Sequence, residues 1–151
     1  MDRGLWVELM SHKSPKIAQI IANLDGKGLD AHYLGYFECF NRQLFFEAHE
    51  VLEELWLPLR GGPQDRFYRG LIQFAGAFVH VQKKRWQPAI ALLRLARNNL
   101  ELYPTPHERF DIAGALKTID SCVLDLGTNG GSSVLSTGCA FPKLTLSASV
   151  S

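Results

Sequence analysis

Residues 65–84 read DRFYRGLIQFAGAFVHVQKK, and this segment sets the architecture that we predict. Large apolar side chains recur at the spacing of one helix face, at Phe67, Leu71, Phe74, Phe78 and Val81. A second set widens that face, at Tyr68, Ile72, Ala75 and Val79. A helix that is apolar nearly all round has to be covered on every side. We therefore predict that residues 65–84 form the central, buried helix of a helical domain.

The segments on both sides of this helix predict further helices. Apolar residues repeat at helical spacing in residues 14–24, 30–40, 44–56, 87–103 and 111–126. Pro58, the Gly-Gly-Pro of residues 61–63, Pro104 and Pro106 interrupt them, and Asp30 is a suitable N-cap. Strand-like alternation is absent from this core. The sequence predicts an all-α domain over residues 1–126, a compact antiparallel bundle of five or six helices.

Composition limits the partners and the compartment. The chain has 151 residues, with 16 basic and 15 acidic side chains and a net charge of +1, so no nucleic-acid partner is expected. No apolar run approaches the roughly 20 residues that span a bilayer, so no membrane is expected. The three cysteines, Cys39, Cys122 and Cys139, form no CxxC pair. This pattern favours reduced thiols in the cytoplasm or an organelle stroma.

The composition changes after residue 126. Residues 127–151 are rich in Gly, Ser and Thr and nearly uncharged, but they contain a short apolar segment, FPKLTL, at residues 141–146. Two interpretations remain for this tail. It is either flexible, or an extended arm that docks its apolar residues on the helices.

A weak internal repeat relates two parts of the chain at an offset of 41 residues. Phe37, Phe45, Ala48, Val51 and Leu52 recur as Phe78, Trp86, Ala89, Leu92 and Leu93. The pattern is typical of a helical hairpin that packs closely through its alanine. Two such hairpins would stack like two units of a repeat array. Two units are too few for a solenoid, so we predict a small bundle.

Residues 45–56, FFEAHEVLEELW, combine a core helix with an unusual number of ionisable groups. A helical wheel places Glu47, Glu50 and Glu54 opposite the core, Glu53 at the boundary and His49 within the apolar half. His49 and Glu53 are spaced i, i+4 and can touch. The carboxylate would favour a charged imidazole and burial would disfavour it, and the sequence leaves this open.

The central helix carries one polar stripe, at Arg69, Gln73, Gly76 and His80. An unpaired polar group in a core costs roughly 1–3 kcal/mol, so the stripe needs partners. The preceding helix supplies carboxylates and is an antiparallel neighbour, because the turn between the two is short. We hypothesise one inter-helix cluster of six residues, which are also the catalytic candidates: His49, Glu50, Glu53, Arg69, Gln73 and His80.

Two classes of function fit such a cluster. The first is a structural or protein-interaction module, either a homo-oligomer or bound to a protein partner. The second is a metal-dependent or acid/base enzyme that uses His49, Glu50, Glu53 and His80. The zinc-protease motif HExxH fails because Glu53 stands where the second histidine belongs. No cofactor is predicted; the alternative is a divalent ion held by His49, Glu53 and His80.

Three strings carry a family resemblance: FNRQLFFEAHEVLEELW, FYRGLIQFAGAFVHVQ and PAIALLRLARNNLELYP, within residues 33–104. They resemble the family called domain of unknown function 309. Its pattern, an EAHE-x-x-E helix followed by a GLIQ-x-A helix that ends in His, is matched by Glu47, Ala48, His49, Glu50, Glu53, Trp56, Gly70, Leu71, Gln73 and His80. The family often has Gly where this chain has Gln43 and Lys84. The resemblance implies a helical fold and no established activity, substrate or cofactor.

Overall fold

The helices follow one another in an up-and-down order. The computed structural model describes residues 15–24, 29–129 and 141–147. Its helices are α1 (Pro15–Leu24), α2 (Ala31–Asn41), α3 (Phe45–Trp56), α4 (Asp65–Gln82), α5 (Trp86–Leu100) and α6 (Ile112–Asn129), and a 3-10 turn, Leu57–Leu59, follows α3. Each helix packs on the next one along the chain. The described residues form no strand beyond two isolated bridges, so the all-α prediction is confirmed.

Helix α4 lies at the centre, as predicted. Phe67, Phe74 and Phe78 are fully buried on it. Helices α3 and α5 cover two of its sides. Helix α2 covers another, where the Tyr36 hydroxyl donates to the Leu71 carbonyl oxygen at 2.6 Å. No helix in the described ranges is long and apolar enough to cross a bilayer.

The turns from α2 to α3 and from α4 to α5 have the same backbone geometry. Gln43 and Lys84 occupy equivalent positions with left-handed φ angles of 62° and 58°. In each turn the next residue donates its N–H to a carbonyl five residues back at 2.9 Å, Leu44 to Cys39 and Arg85 to His80. These bonds define a Schellman motif at the helix end. The internal repeat seen in the sequence therefore extends to the backbone.

Two predicted helix ends lie too far along the chain. Helix α4 ends at Gln82 rather than at Lys84, because the left-handed Lys84 cannot continue a right-handed helix. Helix α5 ends at Leu100 rather than at Tyr103. The Tyr103 hydroxyl turns back to α4, accepts from the Phe67 N–H at 3.0 Å and donates to the Pro63 carbonyl at 2.8 Å.

The C-terminal residues include an extended segment on the helices. Residues 141–147 run past the end of α2, and Phe141 packs on Phe45 and Phe78 with ring centroids 5.5 and 6.3 Å apart. Residues 130–140 and 148–151 lie outside the described ranges. Helix α6 continues to Asn129, so residues 127–129, which we assigned to the tail, are helical. A helix tolerates Gly127 at a cost of about 1 kcal/mol.

Candidate functional site

The pair His49 and Glu53 lies inside the core on α3. His49 is 2% exposed and Glu53 3%. The Nε2 atom of His49 lies 3.1 Å from Oε2 of Glu53, and its Nδ1 lies 3.1 Å from the Phe46 carbonyl oxygen. A carbonyl oxygen can only accept, so Nδ1 carries the proton of the neutral ring. Nε2 is then an acceptor that faces the carboxyl group of Glu53.

The environment of this pair favours its uncharged form. Burial lowers the pKa of His49 to about 4, although the bond to Phe46 opposes the change. Burial, assisted by the nearby charge of Glu50, raises the pKa of Glu53 to about 7. Between about pH 4 and about pH 7 the proton therefore lies on the carboxyl group of Glu53, and the ring of His49 is neutral. A neutral pair avoids the desolvation penalty of a buried ion pair.

The predicted position of Glu50 is wrong. We placed it with Glu47 and Glu54 on a solvent-facing side, yet only 7% of Glu50 is exposed. Helix α2 covers this side of α3, and His32 of α2 lies 3.4 Å from Glu54. Burial, followed by the charges of Glu47 and Glu54, raises the pKa of Glu50. The face is therefore an interface between two helices.

Arg69 contacts the start of its own helix. Its Nη2 donates to both carboxylate oxygens of Asp65 at 3.0 Å. Asp65 also accepts from Trp56 Nε1 at 2.7 Å and from the Gly61 N–H at 2.8 Å. Burial alone would raise the pKa of Asp65, but these bonds and the Arg69 charge outweigh it and lower the pKa. This group fixes the α3–α4 turn. We missed Asp65, although an acidic residue in the first turn of a helix was a usable signal.

Gln73 turns toward α5. Asn99, 4% exposed, donates from Nδ2 to Gln73 Oε1 at 2.7 Å. Arg66 donates from Nε to the Asn99 side-chain oxygen. The amide of Asn99 thus connects α4 and α5. Helical periodicity gave no indication of Asn99, because it is a polar residue on the buried face of α5.

His80 lies in the last turn of α4 and is partly buried. Burial, followed by the charges of Arg85 and Lys83, lowers its pKa. Within residues 29–129, no ion pair joins His80 to Glu50 or Glu53. The described residues also contain no group of three or more His, Cys, Asp or Glu side chains placed to hold a metal ion. The hypothesised cluster is instead distributed over separate groups, because Arg69 and Gln73 point to different neighbours.

Comparison with known families adds one match. Residues 33–92 match the family model of a domain of unknown function, DUF309. The match confirms the resemblance over these residues, which include most of α2, all of α3 and α4, and the start of α5. No curated protein and no solved structure matches the chain significantly. The DUF309 description assigns no activity.

A further polar group joins the DUF309 region to the α5–α6 connection. The hydroxyl of Tyr68 donates to Glu108 Oε2 at 3.0 Å, and that of Tyr33 donates to the Glu108 carbonyl at 2.9 Å. Glu108 and Arg109 have left-handed φ angles of 47° and 63°. This conformation costs about 1–2 kcal/mol for a residue with a side chain, so the tyrosines hold a strained turn. The turn has no glycine, and sequence reasoning missed it.

Two surface cavities are lined by described residues. One, of about 180 Å³, lies between the start of α6 and residues 143–145. The other, of about 400 Å³, lies between α1 and α2. Neither is lined by His49, Glu53 or His80. Neither cavity therefore gives a substrate access to the buried pair.

Proposed function

We propose that this chain is a structural and protein-interaction module. The observation that carries the proposal is the burial of His49 and Glu53 against each other, with 2% and 3% of their surfaces exposed. These residues were the strongest candidates for chemistry, and they occupy the core. Buried polar groups that pair with one another commonly serve packing and helix register.

The remaining candidates also support a structural role. The carboxylate of Asp65 accepts a hydrogen bond from Trp56 Nε1 and so connects the end of α3 to the start of α4. Gln73 and Asn99 tie α4 to α5. Each contact is specific to one register of the two helices, because a shift would leave buried donors without acceptors. The polar residues thus stabilise one arrangement of the two stacked hairpins.

Arrays of stacked helical hairpins commonly bind other polypeptides, and the two hairpins of this bundle resemble two units of such an array. The turns at Gln43 and Lys84, one in each of the hairpins α2–α3 and α4–α5, have the same backbone geometry. The expected partner is a protein, or a second copy of the chain, in the cytoplasm or an organelle stroma. The net charge of +1 gives no reason to expect nucleic acid.

One observation favours the second candidate function, an acid/base or metal-dependent enzyme. The pKa values of His49 and Glu53 are shifted by burial in opposite directions, to about 4 and about 7. Such pairs are common in active sites as well as in structural networks. An enzyme would require an opening of the core that admits a substrate or a divalent ion to these side chains.

A matched pair of variants distinguishes the two functions. The full chain is purified from its native host as wild type, Glu53→Gln and His49→Ala, and metal content is measured alongside co-purifying proteins. We expect a stoichiometric partner that binds again after separate purification. Glu53→Gln should retain this binding, because glutamine keeps the shape and a neutral donor. Stoichiometric metal that is lost in His49→Ala, with no partner that binds again, would contradict the proposal.

A further inference from the structure

We infer that a second copy of this chain packs antiparallel on the outer side of α5, so that the module forms a dimer with twofold symmetry. We call this surface the α5 stripe; its members are Pro88, Ala91, Leu95, Asn98 and Leu102. The inference rests on the proposed function, because it names a second copy as one partner of the module and the surface through which it binds. Most of the stripe lies beyond residues 33–92, which match DUF309.

The spacing of the α5 stripe is that of a helix face that packs against another helix. Its members follow one another at intervals of three, four, three and four residues, the repeat of a seam between two paired helices. Helix α5 ends at Leu100, but the next two residues continue its course. The Glu101 N–H donates to the Arg97 carbonyl at 3.0 Å, and the Leu102 N–H donates to the Asn99 carbonyl at 3.4 Å. The stripe therefore extends to Leu102 on one side of the helix.

This side of α5 is exposed, whereas the other sides pack on neighbouring helices. Asn99 contacts α4 and Arg97 contacts α6. On a helical wheel the α5 stripe lies between these two contacts and opposite the fully buried Leu93. Leu95 is 48% exposed and Leu102 is 58% exposed. Two exposed leucines seven residues apart on one face are typical of a surface that another helix covers.

The charges beside the α5 stripe are complementary to one another in an antiparallel pair. Arg94 and Glu101 are exposed, lie seven residues apart and flank the same edge of the stripe. A twofold axis at the middle of the stripe places Arg94 of each copy opposite the partner's Glu101. A parallel pair would place Arg94 at the level of the partner's Arg94 and would lose both ion pairs. The two flanking charges therefore favour a second copy, in the antiparallel orientation, as the occupant.

The flanking ion pairs set the register more than the affinity. Exposed ion pairs contribute little free energy, but opposite charges at both ends exclude other alignments. Glu101 already accepts from Arg97 of its own chain at 2.8 Å. A carboxylate has several acceptor positions, so it can also accept from the partner's Arg94. In this register Leu95 faces the partner's Asn98, and Ala91 faces the partner's Leu102.

Asn98 limits the strength of the dimer. An amide within a helix seam fixes the alignment of the two helices but weakens their association. The α5 stripe is also short, so the dimer should dissociate on dilution, as small interfaces do. We expect Asn98→Leu to lower the dimer dissociation constant at least about tenfold. On a monomer with an unused α5 surface, this substitution would leave the mass in solution unchanged.

Sedimentation velocity of the full-length chain over a concentration series measures the dimer. We expect a reversible dimer for the wild type. Leu95→Asp should raise the dissociation constant at least about tenfold, because it places a charge in the apolar seam. Leu124→Asp on α6 is the matched control: Leu124 is 63% exposed, and Asp120 and Thr128, one turn away on either side, are polar. It should dimerise as the wild type does, and circular dichroism should show equal helical content in all three proteins.

A charge exchange tests the antiparallel register. Arg94→Glu and Glu101→Arg each place like charges at both flanking contacts, so each variant alone should dimerise at least about tenfold more weakly than the wild type. An equimolar mixture of the two should form a one-to-one heterodimer, because opposite charges meet again at both contacts. This recovery requires Arg94 and Glu101 of different copies to face each other.

Three results would overturn the inference. The first is a wild type that stays monomeric up to millimolar concentration. The second is a dimer that Leu95→Asp weakens no more than Leu124→Asp does. The third is a mixture of Arg94→Glu and Glu101→Arg that associates no more than either variant alone. If the inference fails while a different purified protein still binds again, the proposed function survives and its partner is not a second copy on α5.

Discussion

Gln43 and Lys84 lie 41 residues apart and have nearly the same left-handed backbone conformation, with φ of 62° and 58°. Each ends one helix, and the next begins two residues later. Glycine adopts this conformation at little cost in free energy. In any other residue the Cβ atom contacts the backbone, and this contact destabilises the turn. Both turns thus store strain that a substitution can remove.

We expect Gln43→Gly and Lys84→Gly each to raise the free energy of unfolding by about 0.5–1 kcal/mol. The bond from Gln82 Nε2 to the Gln43 carbonyl oxygen involves the backbone and should remain. Urea unfolding at neutral pH measures the change. Lys84→Ala is the matched control, because it removes the same charge without removing the strain. Equal stability of Lys84→Ala and Lys84→Gly would show that the left-handed conformation of residue 84 does not lower the free energy of unfolding.

Gly70 and Gly76, both on α4, should respond oppositely to alanine. A Cβ atom at Gly70 would lie 2.9 Å from Leu100 Cγ and 3.1 Å from Asn99 Cβ, whereas at Gly76 it would meet only the end of Leu92 at 3.3 Å. We expect Gly70→Ala to destabilise the fold by about 1–3 kcal/mol through overpacking. Gly76→Ala should be neutral or stabilising by up to about 1 kcal/mol, because alanine favours a helix. Thermal unfolding of both variants distinguishes them, and a stable Gly70→Ala would refute the close α4–α5 contact.

Asp65 should matter more than another aspartate that also pairs with an arginine. Asp65→Ala leaves Trp56 Nε1, the Gly61 N–H and Arg69 without their acceptor, and we expect a loss of about 2–4 kcal/mol. Asp120 pairs with Arg97 at 2.7 Å at the surface, so Asp120→Ala should cost less than about 1 kcal/mol. Chemical denaturation of the two variants gives both values. Similar losses would mean that the Asp65 group does not hold the α3–α4 turn.

The carboxyl group of Glu53 should make the fold less stable above about pH 7 than in mild acid. Its pKa is raised from 4.5 to about 7, so the folded chain keeps a proton that the unfolded chain loses, and stability falls as the pH rises through about 7. The lowered pKa of His49 acts in the opposite sense, because stability is lost as the pH falls from 6.5 toward about 4. We expect the wild type to lose about 1–2 kcal/mol relative to Glu53→Gln between about pH 6 and about pH 9.

Urea unfolding across this pH range, followed by circular dichroism, measures the difference. Glu47→Gln is the control, since Glu47 lies on the same helix and is only partly buried. Its stability profile should parallel that of the wild type. If Glu53→Gln also ran parallel to the wild type, the carboxyl group of Glu53 would be charged in the folded chain throughout the range.

Local signals predicted the helices well. The apolar surface of α4 implied burial on all sides, and Asp30 caps α2 by accepting from the His32 N–H at 2.7 Å. The spacing of His49 and Glu53 predicted their contact, because four residues on a helix bring two side chains together. These outcomes depend on neighbours along the chain, which a sequence displays directly.

The arrangement between helices was harder to predict. Arg69 and Gln73 share a stripe, but one contacts Asp65 and the other Asn99, because the stripe lies between two neighbouring elements. Glu50 is buried since α2 covers a face that the helical wheel assigned to solvent. The turn at Glu108 has no glycine to mark it and depends on tyrosines far away in sequence. Tertiary packing determines these contacts, and the local sequence does not show it.

Amide hydrogen exchange at Leu144 and Ser147 in the full-length chain tests most directly whether the helices hold an extended segment. The Leu144 N–H donates to Oδ1 of Asn41, and the Ser147 N–H donates to the carbonyl oxygen of Arg109. We expect protection of both amides in the wild type. In Asn41→Ala the Leu144 amide should lose that protection, while amides in the core of α4 keep theirs. Exchange of both amides at the rate of an unstructured peptide in the wild type would contradict the docking of residues 141–147 on the helices.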